Sequence, residues 1–143
     1  MPPVPINYLA VFICGVSAMV LGSLWYGPIF GKSWMAMMGM TKPAQMDAAT
    51  KKVMMRSYTL MFLGSLVMAY VLAHSTVFAA AYLKVTGVSA GLMSGFWNWL
   101  GFIVPISLGS VLWERRPWKL WFLNTGYWLV QLLVMGVILA LWP

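Results

Sequence analysis

Apolar residues fall in four long blocks, at about 6–26, 57–82, 88–113 and 117–142. Each block exceeds the ~20 residues a helix needs to cross a hydrocarbon core. None holds Asp, Glu, Lys or Arg in its interior. This pattern predicts an all-α membrane protein, one four-transmembrane-helix bundle over residues 1–143. Glu114, Arg115 and Arg116 divide the last two blocks, because three adjacent charges do not sit in lipid. The first block resembles a signal peptide in position, but no Lys or Arg precedes it and no small-residue cleavage site follows. It is expected to be a retained helix, ending in an aromatic turn at Trp25-Tyr26-Gly27-Pro28.

Segment 27–56 is the sizeable stretch between blocks. Its first half, from Ile29 to Met35, is apolar apart from Lys32 and suits the headgroup level. Thr41 offers an N-cap and Pro43 fits a first helical turn. No Gly or Pro occurs from Ala44 to Leu63. The second membrane helix is therefore expected to begin in the cytoplasm, with Lys51, Lys52 and Arg56 beside anionic headgroups.

Composition agrees with lipid as the solvent. The chain is 62% hydrophobic and 8% charged, against about 25% charged in soluble domains. The net charge of +7 does not indicate nucleic acid, because the cations cluster between apolar blocks. The first and third connections hold eight of the nine basic residues, and the second holds only Lys84. Positive charge is retained in the cytoplasm, so both termini are expected outside. The location this implies is the cell membrane, multi-pass, and specifically a bacterial inner membrane.

Small residues recur at every fourth position: Ala18 and Gly22; Ser65, Ala69 and Ala73; Gly91 and Gly95; Gly136 and Ala140. This spacing lets backbones approach closely, within the bundle or along an oligomer seam. Pro105, in mid-block, is expected to kink its helix or free a carbonyl.

Two polar zones are candidates for binding. At 1.5 Å per residue, His74 lies about 27 Å from Arg56, Asn98 about 24 Å and Gln131 about 18 Å from their own basic ends. These three form an outer-half zone, with Ser75, Ser94 and Tyr70 available to join it. They serve either as interhelical hydrogen bonds or as a binding or conduction site. The second zone is at the cytoplasmic face: Trp25, Tyr26, Tyr58, Trp113, Trp118, Trp121, Asn124 and Tyr127. It reads as an aromatic belt, or as an aromatic cleft for an amphiphile or cation with Lys32 or Lys119 as a charge handle.

Catalysis has little to stand on. There are no paired carboxylates, Ser–His–Asp set, metal-ligand cluster or phosphate loop. Thirteen methionines include Met35, Met37, Met38 and Met40. Thioethers suit copper(I), but no Cys or His accompanies them, and they fit an adaptable apolar surface. No metal and no cofactor is expected. Asp47 and Glu114, the only acids, lie outside the blocks. A proton-coupled exporter needs a titratable carboxylate at mid-membrane, as the small four-helix multidrug exporters have. Four-helix fluoride channels match in size but often show balanced flanking charge.

Asn7-Tyr8-Leu9-Ala10, Trp25 to Lys32 with Trp34, Gly91 to Pro105, and Arg116-Pro117-Trp118-Lys119 with Asn124 and Gly126-Tyr127 carry a resemblance. They resemble the small membrane proteins catalogued as domain of unknown function 1761, over nearly the whole chain. The resemblance implies a four-helix membrane domain and supplies no activity. Both motifs fall at cytoplasmic helix ends, so Trp25, Tyr26, Lys32, Arg116, Trp118, Lys119 and Asn124 are the preferred site. Pro28 is expected to stop the first helix, Pro117 to start the fourth, and Arg116 to join the motifs. The expected role is non-enzymatic: a binding, accessory or assembly module, partnered by membrane lipids and either homo-oligomeric or part of a larger membrane complex. The alternative is a small oligomeric transporter or channel.

Overall fold

The computed structural model describes residues 4–41 and 47–142, and those residues are mostly helical, with short turns and connections and without a strand. Four continuous helical stretches are long and apolar enough to cross a membrane: Tyr8–Ile29, Ala48–Leu83, Gly87–Leu112 and Trp118–Leu141.

Helix α1 (Tyr8–Leu24) starts at Asn7, whose side chain accepts from the Leu9 and Ala10 amides at 3.0 and 3.1 Å. That cap satisfies donors otherwise left open at a helix start. Pro28 does not stop the stretch. The chain continues as a π turn over Trp25–Ile29, in which the Phe30 N–H bonds the Trp25 carbonyl at 2.9 Å and Gly27 departs from helical angles (φ −105, ψ −106). Widening the turn accommodates a residue with no N–H of its own.

Helix α2 (Gly31–Met38) follows at once and ends at Gly39 with φ 66. There the Gly39 and Met40 amides bond the carbonyls of Ala36 and Met35. This left-handed closure favours glycine. Thr41 is not the cap of the next helix. Asp47 takes that place, its carboxylate accepting from the Thr50 N–H at 2.8 Å. Asp47 presents a carboxylate to the helix's open amides, where Thr41 lies too far upstream. Hydrogen bonds from the Thr50 side chain and backbone hold the Asp47 carboxyl below its ordinary range. Pro43 lies outside the described residues.

Helix α3 (Ala48–Leu83) has 36 residues, about 54 Å of helix against a hydrocarbon core of about 30 Å. Its excess length carries Lys51, Lys52 and Arg56, all exposed. The third stretch is α4 (Gly87–Asn98), a π turn at Trp99–Ile103, then α5 (Val104–Ser107) and α6 (Gly109–Leu112). Pro105 cannot donate to Gly101, and the Val104 N–H reaches back to the Trp99 carbonyl instead. Helix α7 (Trp118–Leu141) begins just after Pro117, which sits at the cap rather than in the first turn.

Helix α7 is central and touches α1, α3 and α4. Cys14 Sγ lies 3.6 Å from the Met135 carbonyl, and Tyr26 meets Asn124 further down, so α1 and α7 run antiparallel. The pairs Tyr8–Tyr70 and Phe12–Phe62 place α1 antiparallel to α3. The tightest contact joins α4 to α7. A Cβ on Gly91 would overlap the Gly136 carbonyl, and one on Gly95 would stand 2.5 Å from the Leu132 carbonyl. These small residues serve packing within the bundle. Ala10, Cys14, Ala18, Ala69, Ala73 and Met135 form its core with Leu72 and Leu132.

The outside is apolar. Only 6% of the third stretch's span is buried, against 39% of the fourth. Phe102, Ile106 and Trp113 are 65%, 77% and 85% exposed. Water would penalise that surface heavily, whereas hydrocarbon would not.

Candidate functional site

The basic residues Lys32, Lys51, Lys52, Arg56, Arg115, Arg116 and Lys119 all lie at one end of the bundle, hereafter the basic end. Just inside it, the α1 π turn is fastened to α7 at three points. Trp25 Nε1 donates to the Leu123 carbonyl at 3.2 Å, and Tyr26 Oη donates to Asn124 Oδ1 at 3.0 Å. The Tyr26 ring lies 5.1 Å from Tyr127 and 5.5 Å from Trp34. One turn deeper, Tyr127 Oη reaches the Ala18 carbonyl at 3.4 Å. Gly22 leaves room for that phenol, since a Cβ there would stand 3.2 Å from the hydroxyl.

These contacts form one wall of a cleft of about 680 Å³ bounded by α1, α2, α3 and α7. Such a volume falls in the ~300–1,000 Å³ range of small-molecule sites. Tyr26, Trp34, Tyr58, Tyr127 and Trp128 give it aromatic walls, and Met19, Met38 and Met61 give it flexible ones. Ser65 and Asn124 add polar atoms, but Ser65 Oγ is already bonded to the Met61 carbonyl at 2.8 Å. The cleft therefore suits a long apolar group with one polar end. Among the described residues no three His, Cys, Asp or Glu side chains gather as a metal site would require.

The structure separates the residues of the cytoplasmic-face candidate. Trp25, Tyr26 and Asn124 come together. Arg116, Trp118 and Lys119 are exposed, and among the described residues their side chains make no hydrogen bond to the Trp25–Lys32 segment. Arg116 does not join the motifs. Its amide is tied to the Ser110 carbonyl at 3.0 Å, while Trp25 and Tyr26 meet α7 further along, from Leu123 onward. The Trp118 ring packs on Trp121 of its own helix. Trp121 in turn donates to Ser107 Oγ at 2.9 Å, which pins the third stretch to α7. Lys32 stands two residues before Trp34, about 200° around α2, and is exposed on a side away from the cleft.

The outer-half candidate also divides. Asn98 Nδ2 donates to Ser75 Oγ and to the Ser94 carbonyl, both at 2.8 Å. Thr76 Oγ1 donates to Ser94 Oγ at 3.0 Å. This network ties α3 to α4. His74 is not part of it: Nδ1 lies 2.9 Å from the Tyr70 carbonyl, and its ring lies 4.6 Å from that of Tyr70, which stacks on Tyr8. One residue is 100° of helix, enough to turn His74 away from Ser75. Gln131 is 1% exposed, and neither amide atom has a hydrogen-bond partner. A second cavity of about 450 Å³ reaches Asn98, Phe102 and Leu132.

Met19, Ser23, Met61 and Trp128 line the cleft without standing out in the sequence, and Trp34 and Met38 stand out there only as part of a motif and of a methionine group. Their signal is helical spacing: Trp34 with Met38, Tyr58 with Met61 and Ser65, and Asn124 with Trp128 repeat at three or four residues.

The fold and cleft define a small helical bundle whose four long helices are suited to crossing a membrane, with an aromatic slot at its basic end. The chain belongs to the family described as protein of unknown function (DUF1761), which matches residues 9–140. No curated protein and no solved structure matches it.

Proposed function

We propose that this is a non-enzymatic integral membrane protein that holds an amphiphile in the cleft at its basic end and works as a binding or accessory module. The observation carrying this reading is the cleft itself: about 680 Å³, aromatic and thioether-walled, with its Asn124 and Tyr26 polar atoms already paired to each other. Membrane lipids are the partners this reading requires. In the proposed topology the basic end is cytoplasmic and both termini are outside, in a cell membrane, following the retention of cations on the cytoplasmic side. The exposed face of the third stretch is where a second copy or a larger complex would pack.

Saturable quenching of tryptophan fluorescence by a brominated single-chain amphiphile tests the reading. Quenching is expected to saturate near one molecule per chain and to fall when Ser23→Phe, at an exposed position lining the cleft, fills it. Quenching that rises in proportion to bulk amphiphile, with no saturation, would remove the reading.

The rival reading, a small oligomeric transporter or channel, draws on Gln131, a buried amide without a partner in mid-bundle. Polar groups so placed often mark solute paths. Solute flux into proteoliposomes that is lost in Gln131→Leu would favour the rival.

A further inference from the structure

The wall that α3 contributes to the cleft continues beyond it. Tyr58, Met61 and Ser65 line the cleft and recur at three and four residues, on one side of the helix. Met54 is next in that series toward the basic end, and it is half-buried while Val53 and Met55 are exposed. The side of α3 that faces the cleft thus continues through Met54 beyond Tyr58. Lys51 is the following member, seven residues before Tyr58, about 10 Å further along the axis. Lys52 and Arg56 lie on other sides. Among the described residues Lys51 has no ion-pair partner. Asp47, the acid nearest in sequence, is engaged in capping α3.

An apolar slot and a free cation are therefore strung along one line, with the exposed Tyr58 between them. From Ser65 to Lys51 the line measures about 21 Å, room for a headgroup and part of an acyl chain. A neutral amphiphile would use the slot and leave the ammonium unmatched. An acidic headgroup would match both.

We infer that the cleft takes one acyl chain of an anionic bilayer lipid, whose phosphate-bearing headgroup sits between Tyr58 and Lys51. The inference rests on the amphiphile reading above and adds the charge of the ligand. A cation facing an anionic headgroup is worth about fivefold in affinity.

Native mass spectrometry of the full chain, released from neutral detergent containing equal phosphatidylglycerol and phosphatidylcholine, tests it. One phosphatidylglycerol is expected to be retained about fivefold over phosphatidylcholine. Lys51→Gln, an exposed change that leaves the core intact, is expected to bring the ratio close to one while a lipid is still retained. Lys52→Gln, 100° around the helix, is expected to keep the preference. Equal retention of the two lipids by the unmodified chain overturns the inference and leaves the amphiphile reading standing. An equal loss of preference in Lys51→Gln and Lys52→Gln also overturns it, because general surface charge then explains the effect. Retention of neither lipid by folded protein overturns both.

Discussion

The Tyr26 hydroxyl donates to Asn124 Oδ1 at 3.0 Å, joining residues 98 positions apart in the chain. The bond links the π turn at the end of α1 to the second turn of α7, and both residues border the cleft. Without this bond, the π turn keeps only the Trp25–Leu123 bond and ring contacts.

Tyr26→Phe keeps the ring and deletes the donor. A typical net hydrogen bond is worth about 0.5–1.5 kcal/mol, so a stability loss of that size is expected in denaturant titration of the micellar protein. Asn124→Leu is expected to cost a similar amount. The double variant should cost less than the sum of the two, since both delete one bond. Strict additivity would mean that the two side chains act independently.

The glycines of α4 separate close approach from mere helix composition. Gly91 abuts the Gly136 carbonyl, whereas a Cβ on Gly64 would meet nothing within 4 Å. Gly91→Ala is expected to force the two helices apart at an overpacking cost of about 1–3 kcal/mol. Gly64→Ala should be neutral or slightly stabilising, because alanine favours a helix interior. Melting of both variants in one detergent checks the contrast, and equal melting points would contradict the close α4–α7 contact.

Topology is testable through the chain's own cysteine content. Cys14 is buried and the chain has no other cysteine, so single introduced thiols report cleanly. Thr86→Cys is expected to react with an impermeant reagent added to intact cells. Lys52→Cys should react only after the membrane is opened. The reverse pattern would invert the proposed orientation.

The limits of the long helices are legible in the apolar blocks because a crossing needs a minimum run without charge. Close backbone approach at Gly91, Gly95 and Gly136 is legible in their spacing, but that they meet within the bundle is seen only in the α4–α7 contact. Partner choice among polar residues is less legible. His74, Asn98 and Gln131 share a depth, but depth does not fix azimuth. A one-residue step turns His74 to Tyr70 while Ser75 meets Asn98. Pro28 reads locally as a stop and Pro105 as a kink or a freed carbonyl, and each is accommodated beside a π turn, over Trp25–Ile29 and Trp99–Ile103. Arg116 and Trp118 share a motif with Lys119, but none of the three lines the cleft, and the chain turns at Arg115 (φ 56) just before them.

Gln131 offers the sharpest test of what the bundle's interior is for. Its amide is fully enclosed, with neither Nε2 nor Oε1 bonded. It stands one turn beyond Tyr127 on the same side of α7, next to Leu132 where α4 and α7 nearly touch. An unpaired buried polar group carries a desolvation penalty of about 1–3 kcal/mol. Gln131→Leu has a similar size and no polar atoms. If Gln131 has only a packing role, the substitution is expected to raise stability by up to that amount and to leave amphiphile binding unchanged. Denaturant midpoints, paired with the brominated-amphiphile titration, measure both effects. A loss of stability would show that the amide is bonded to an internal water, and a loss of binding at unchanged stability would place Gln131 in the ligand's path.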